Sequence, residues 1–178
     1  MKKIMMASLI YTMASSQNFS SVKAQSFVSV QYSDSASIEL DARIDNVFPL
    51  FGAFEERKWA AGWSPKVIYP QTEVMQKGTT FQTAGHVPGE PDMIWTVTKF
   101  DMASHEAQYF IYSTNRVVIL DINCRSIAGG KTAATIKYTF TGLDSDGNEI
   151  SHHLLKKVYS RRLEDWRDAI NKYLKTER

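Results

Sequence analysis

Arg116-Val117-Val118-Ile119-Leu120-Asp121-Ile122-Asn123-Cys124-Arg125, then Gly129-Gly130, then Lys131-Thr132-Ala133-Ala134-Thr135-Ile136-Lys137-Tyr138-Thr139-Phe140-Thr141, is the stretch that decides the fold. Successive side chains on a strand point to opposite faces. In the first segment Val118, Leu120, Ile122 and Cys124 share one face, while Asp121, Asn123 and Arg125 share the other. In the second, Ala134, Ile136, Tyr138 and Phe140 oppose Thr135, Lys137, Thr139 and Thr141. The glycine pair between them predicts a hairpin that needs positive φ. The two segments therefore read as antiparallel partners with one wet face and one covered face.

Working outward, Thr79–Ala84, Met93–Phe100 and Glu106–Ser113 read as three earlier strands of the same meander, separated by turn-rich residues 85–91, by Asp101–Ser104 and by Asn115. The covering element lies downstream. Ile150, Leu154, Leu155, Val158, Leu163, Trp166, Ile170, Tyr173 and Leu174 form a helical stripe, predicting one long amphipathic helix from about Asn148 to Leu174. Asp144-Ser145-Asp146-Gly147-Asn148 reads as the turn that caps it. That run departs from a calcium loop because its sixth position is Glu149 rather than Gly.

Upstream, Phe27–Tyr32 and Ala36–Ala42 read as extended, with a break at Ser33-Asp34-Ser35. Asp45 is the expected N-cap of a short helix carrying Val47, Phe48, Leu50 and Phe51. A second short helical piece follows over Phe54–Trp59, in which Glu55-Glu56-Arg57-Lys58 reads as a solvated face. Gly62–Pro70 reads as an irregular crossing. The predicted class is α+β: a curved antiparallel β-sheet wrapped around a long C-terminal helix, with two short helices after the first strand. Such an architecture usually encloses a cavity.

The 178 residues suit one domain over 27–176 with a sizeable core. A hydrophobic fraction of 43% with 22% charged residues is ordinary for a soluble protein. The formal charge of +2 misleads, because Lys2, Lys3 and Lys23 stand in a 25-residue leader that contains no acid. The remainder carries 18 basic against 19 acidic residues, which leaves no electrostatic footprint for nucleic acid. The leader itself, residues 1–24, has the form of a signal peptide: Lys2 and Lys3, an apolar run over Ile4–Ala14, and small residues Val22 and Ala24 before Gln25. Its apolar run is too short for the roughly 20 residues that span a bilayer. Periplasmic or secreted localisation is expected, with cleavage near Ala24 and no integral membrane segment afterwards.

The layout resembles the START-like, birch-pollen-allergen-like helix-grip superfamily, also called SRPBCC. The resemblance runs from about Ser35 to Leu174 and is carried by Ala42–Phe48, Trp59–Pro65, Gly78–Phe81, Ile94–Asp101, Ala134–Phe140 and Ala169–Leu174. It implies the helix-grip fold. It also implies one of three roles: binding of lipids, sterols or polyketides, a cyclase activity, or service as a chaperone cofactor. No catalytic motif spans that superfamily, so the resemblance assigns no catalytic residue.

The residues themselves argue against several chemistries. His86, His105, His152 and His153 lack metal-ligand spacing, no nucleotide-binding glycine motif occurs, and no serine or cysteine has an activating context. The single cysteine, Cys124, falls on an apolar strand face and reads as a packed, inert thiol. No cofactor is expected. Phe81, Trp95, Tyr109 and Tyr138 lie on separate strands at positions that could line the concave face, or that could simply fill the core with aromatic bulk. Trp59 and Trp63 fall where a pocket rim would form, and aromatic walls suit an apolar ligand. His86 and Arg116 are the candidate polar groups of that cavity.

The leading expectation is a carrier of a small hydrophobic or amphipathic ligand. The alternatives are a cyclase- or dehydratase-like enzyme acting on a polyketide-like substrate, and a protein-interaction module.

Overall fold

A computed structural model describes residues 27–85, 90–157 and 162–176. Seven strands form one antiparallel sheet: β1 (Gln31–Leu40), β2 (Lys66–Tyr69), β3 (Thr80–Thr83), β4 (Met93–Asp101), β5 (Glu106–Tyr112), β6 (Arg116–Ile127) and β7 (Lys131–Gly142). Their spatial order is β1-β7-β6-β5-β4-β3-β2. The α-helices are α1 (Ile44–Val47), α2 (Ser145–Lys157) and α3 (Leu163–Thr176). Two 3₁₀ turns, Phe48–Phe51 and Glu55–Lys58, follow α1. The curved sheet grips the C-terminal helical segment, as the hairpin and stripe predict.

The β6–β7 hairpin has the expected register, from Ile127↔Lys131 to Arg116↔Gly142, so Leu120 faces Tyr138 and Ile122 faces Ile136. Gly129 and Gly130 take φ of 75° and 70° at the connection, where a side chain would be strained. A register shift between Val97 and Lys99 interrupts the β4–β5 ladder. Such bulges bend a strand and raise its twist, which helps a sheet curl around a helix.

Three local expectations need correction. The first strand is not broken at Ser33-Asp34-Ser35; β1 runs through them, paired residue by residue with β7 from Gln31↔Thr141 to Leu40↔Thr132. Serine–threonine bonds cross that ladder, Ser33 to Thr139 at 3.0 Å and Ser37 to Thr135 at 2.7 Å, so polar residues with turn preferences are held extended. Asp45 is not the N-cap of α1. Arg43 occupies that position without a side-chain cap, and Asp45 lies in the first turn. The crossing over Gly62–Pro70 contains β2, an edge strand paired with β3.

The closing helical segment starts earlier than the stripe indicates. Asp144 Oδ1 accepts a bond from the Gly147 amide at 2.6 Å, which makes Asp144 the cap of α2. Gly147 is there because a Cβ would meet the Asn115 carbonyl oxygen at 1.8 Å. Two asparagines then fasten the helices to β1 and its approach. Asn148 Oδ1 accepts from the Val30 amide at 2.9 Å, and Asn171 Oδ1 accepts from the Asp41 amide at 2.8 Å. Leu154, Leu163, Ile170 and Leu174 are buried against the sheet, with Ile150, Leu155, Trp166 and Tyr173 packed partly against the core. Val158, the remaining residue of the stripe, lies outside the described residues, as does the leader with its cleavage site at Ala24.

Candidate functional site

Between the sheet and α3 lies a cavity of about 540 Å³. Each of the central strands contributes an inward side chain: Phe81 from β3, Trp95 from β4, Tyr109 from β5, Leu120 and Ile122 from β6, and Tyr138 from β7. The segment after α1 supplies Trp59 and Trp63, so the structure brings all six predicted aromatic site residues to one space. From the helical side come Arg162, Asp165, Trp166 and Ala169, whose spacing of three and four residues places them on one face. With Trp166 included, all four tryptophans of the chain line the cavity.

The aromatic walls are ordered by their polar ends. Trp59 Nε1 donates to the Leu50 carbonyl at 2.8 Å, and Trp63 Nε1 donates to the Ala53 carbonyl at 2.6 Å. Trp95 Nε1 donates to Thr83 Oγ1 at 2.9 Å. The Tyr109 hydroxyl donates to the Phe51 carbonyl at 2.6 Å. These donors are engaged within the protein, so a ligand meets ring faces and edges rather than hungry N–H groups. Rings also brace one another. Phe81 stacks on Trp95 with centroids 5.6 Å apart, Trp63 meets Trp95 edge-on at 5.4 Å, and Trp59 meets Trp166 edge-on at 5.5 Å. Such contacts fix the rings and keep the walls from collapsing inward.

Glu56 overturns the reading of its charged run as a uniformly solvated face. Ala53, Glu56 and Trp59, spaced three apart through the 3₁₀ turn at Glu55–Lys58, all line the cavity. Arg57 points the other way, bonding Glu73 and the Pro65 carbonyl. Glu56 is half-buried on the cavity wall, and among the described residues no hydrogen bond reaches its carboxyl. Loss of water pushes its pKa up to about 8, with the Arg162 guanidinium opposing the rise. Burial, and then the neighbouring Glu56 carboxyl, push the Tyr109 phenol well above its ordinary value. The spacing of three from Ala53 to Glu56 to Trp59 is the sequence signal for this residue.

Arg116 does not line the main cavity. Its side chain is fully buried beside a separate void of about 20 Å³, lined also by Met93, Ile111, Val118 and Leu154. Trp95, Tyr138 and Arg162 line both spaces. Arg116 Nη1 lies 2.5 Å from Glu90 Oε1, whose side chain is only 3% exposed, and Nη1 also donates to Asn115 Oδ1 at 3.0 Å. Ser113 Oγ donates to the same Glu90 oxygen at 2.8 Å. His86 lies outside the described residues. His105 and His152 rest against Phe48 and Tyr32 respectively. Cys124 is buried, and burial pushes its thiol up to about 12, which keeps it protonated and inert. Among the described residues no group of three or more His, Cys, Asp or Glu could hold a metal ion.

Solved structures share this architecture. Norcoclaurine synthase from Thalictrum flavum, in complex with dopamine and hydroxybenzaldehyde, aligns over 97% of this chain and 99% of its own, with a TM-score of 0.63 and 14% identity. The Zhui aromatase/cyclase from Streptomyces sp. R1128 aligns over 84% of this chain and 97% of its own, with a TM-score of 0.62 and 13% identity. Ara h 8.0201 aligns over 83% and 99%, with a TM-score of 0.58 and 15% identity. No family model matches the chain, and no curated protein sequence matches it significantly. At these identities the likeness is one of fold: the chain shares the curved-sheet, helix-grip architecture of these structures.

Proposed function

We propose that the protein binds a small hydrophobic or amphipathic molecule, of lipid, sterol or polyketide-like character, in the cavity between sheet and α3. The observation that carries this reading is the convergence of all four tryptophans on a space of about 540 Å³, within the usual range of small-molecule sites. A core that needed only bulk would close such a space, because interiors pack to crystal-like density. Three of those tryptophans also have their N–H groups engaged by the protein, which leaves an apolar surface for the ligand. Structural neighbours that hold dopamine and hydroxybenzaldehyde, or that carry the name aromatase/cyclase, support a small and largely unsaturated ligand. With the leader removed near Ala24, the carrier would act in the periplasm or outside the cell.

One observation favours a second reading, a cyclase- or dehydratase-like enzyme. Glu56, with its pKa pushed up to about 8, shares the cavity wall with Arg162 and Asp165. A carboxyl that titrates near neutrality suits general acid–base work on a carbonyl substrate. The carrier reading asks for less, since it needs the apolar space alone.

Native mass spectrometry of protein purified gently from its own host tests the two. A carrier shows a reproducible extra mass, released as one compound class on denaturation. Ala169→Phe, which projects a ring into the cavity from α3, is expected to remove that mass while the protein stays folded. A bare chain mass that persists after incubation with lipid and polyketide extracts would overturn the carrier. Turnover of an extract component that stops in Glu56→Gln would establish the enzyme.

A further inference from the structure

Arg116 raises a question that its ion pair does not answer. Glu90 and Asn115 engage Nη1, but Nε and Nη2 are buried without a hydrogen-bond partner among the described residues. An orphaned donor on a buried charged group carries the full desolvation penalty of that group. Folded chains rarely keep such groups without an occupant. Nε–H and one N–H of Nη2 lie on the same edge of the planar guanidinium, so the orphans form a two-pronged fork. The void of about 20 Å³ beside Arg116 is the space available to satisfy it.

Resting on the binding reading above, we propose that this void is the polar end of the ligand site. It accepts one neutral oxygen of the ligand, a ketone, ester or amide carbonyl, while the apolar body fills the main cavity. Three observations fix that chemistry. Trp95, Tyr138 and Arg162 belong to both linings, so the void lies directly beyond the main cavity's wall. Its volume suits one water-sized group and is too small for a carboxylate or phosphate. Glu90 already neutralises the guanidinium, so an anion would bring an uncompensated charge into a buried site. A carbonyl oxygen adds two charge-assisted bonds and no net charge. In the absence of ligand a single water can hold the fork, and the ligand's oxygen replaces it bond for bond.

The test is equilibrium dialysis of the full chain against 2-acetylnaphthalene, its hydrocarbon isostere 2-ethylnaphthalene, and 2-naphthoate. The ketone is expected to bind roughly tenfold more tightly than the hydrocarbon, a difference of about 1.4 kcal/mol, because only the ketone can accept the fork's charge-assisted bonds. Arg116→Lys keeps a cation opposite Glu90 but loses the fork. It should bring the two affinities within about twofold while leaving that of 2-ethylnaphthalene unchanged, which also shows that the variant is folded. Equal affinities in the native chain, or a ketone preference that survives in Arg116→Lys, would overturn the proposal, as would preferential binding of 2-naphthoate. Failure of all three probes to bind would instead count against the cavity reading itself.

Discussion

Glu56 and Arg116 are both charged side chains withdrawn from water between the same sheet and helices, and burial treats them oppositely. Glu56 has no hydrogen-bonded partner among the described residues, so its carboxyl responds by holding a proton, up to about pH 8. Arg116 cannot shed its charge, so the fold places Glu90 2.5 Å away instead. One group is adaptable and stands in the larger, aromatic space. The other is permanently charged and stands in a space with room for one atom. The pairing of Arg116 is therefore structural, and the neutrality of Glu56 is conditional on pH. That contrast separates the part of the site that holds the fold from the part free to do chemistry.

The contrast can be broken most forcefully at Arg116. Arg116→Met strands the Glu90 carboxylate in a buried position and is expected to cost about 3–5 kcal/mol in urea denaturation. The double variant Arg116→Met/Glu90→Gln should recover more than half of that loss, because no buried charge remains. A loss below about 1 kcal/mol in the single variant would mean that Glu90 reaches water and that the pair is not structural.

A smaller effect is expected at Glu56, and its sign follows from the raised pKa. Between about 4.5 and 8 the folded state keeps a proton that the unfolded state has lost, so native stability falls as pH rises through that window. Glu56→Gln cannot ionise. It should match the native chain at and below pH 4.5 and exceed it above pH 8 by on the order of 2 kcal/mol, read as melting temperature against pH. Parallel pH profiles for the two proteins would show that Glu56 is solvated after all.

The smallest effect sharpens the comparison with an uncharged case. Ser151 on α2 is fully buried, and its hydroxyl has no hydrogen-bond partner among the described residues. Ser151→Ala removes an orphaned neutral group and leaves almost no cavity, so stability should stay level or rise by less than about 1 kcal/mol. A loss greater than that would reveal a partner for the hydroxyl.

Much of the fold was legible because its signals are local. Leu120 and Tyr138 face inward for the same period-two reason that places Asp121 and Lys137 outward, and the glycine pair at 129–130 marks where the chain reverses. The inward positions of Phe81, Trp95, Tyr109 and Tyr138 follow from that alternation, whereas Trp59 and Trp63 follow from their place after the short helices. Glu56 was missed because neighbouring charges made the solvated choice look natural. β1 was misread at Ser33-Asp34-Ser35 because the residues that hold it extended, such as Thr139, lie about a hundred positions away. Arg116 reads from the sequence as a polar group of the main cavity, but its side chain stands beside a separate small void, because its partner Glu90 is brought to it from a distant turn.

The sequence by itself determined the order and inward faces of the meander strands β3 to β7 and the apolar stripe of the closing helical segment. Those properties depend on neighbours within a few residues and so are written in periodicity. Only the tertiary structure decided whether the inward rings would close on one another or leave a space. It also decided that Glu90 would meet Arg116, and that Glu56 would lose its water. Volume, desolvation and the pairing of charges are set by side chains brought together from distant parts of the chain, and no local pattern records their sum.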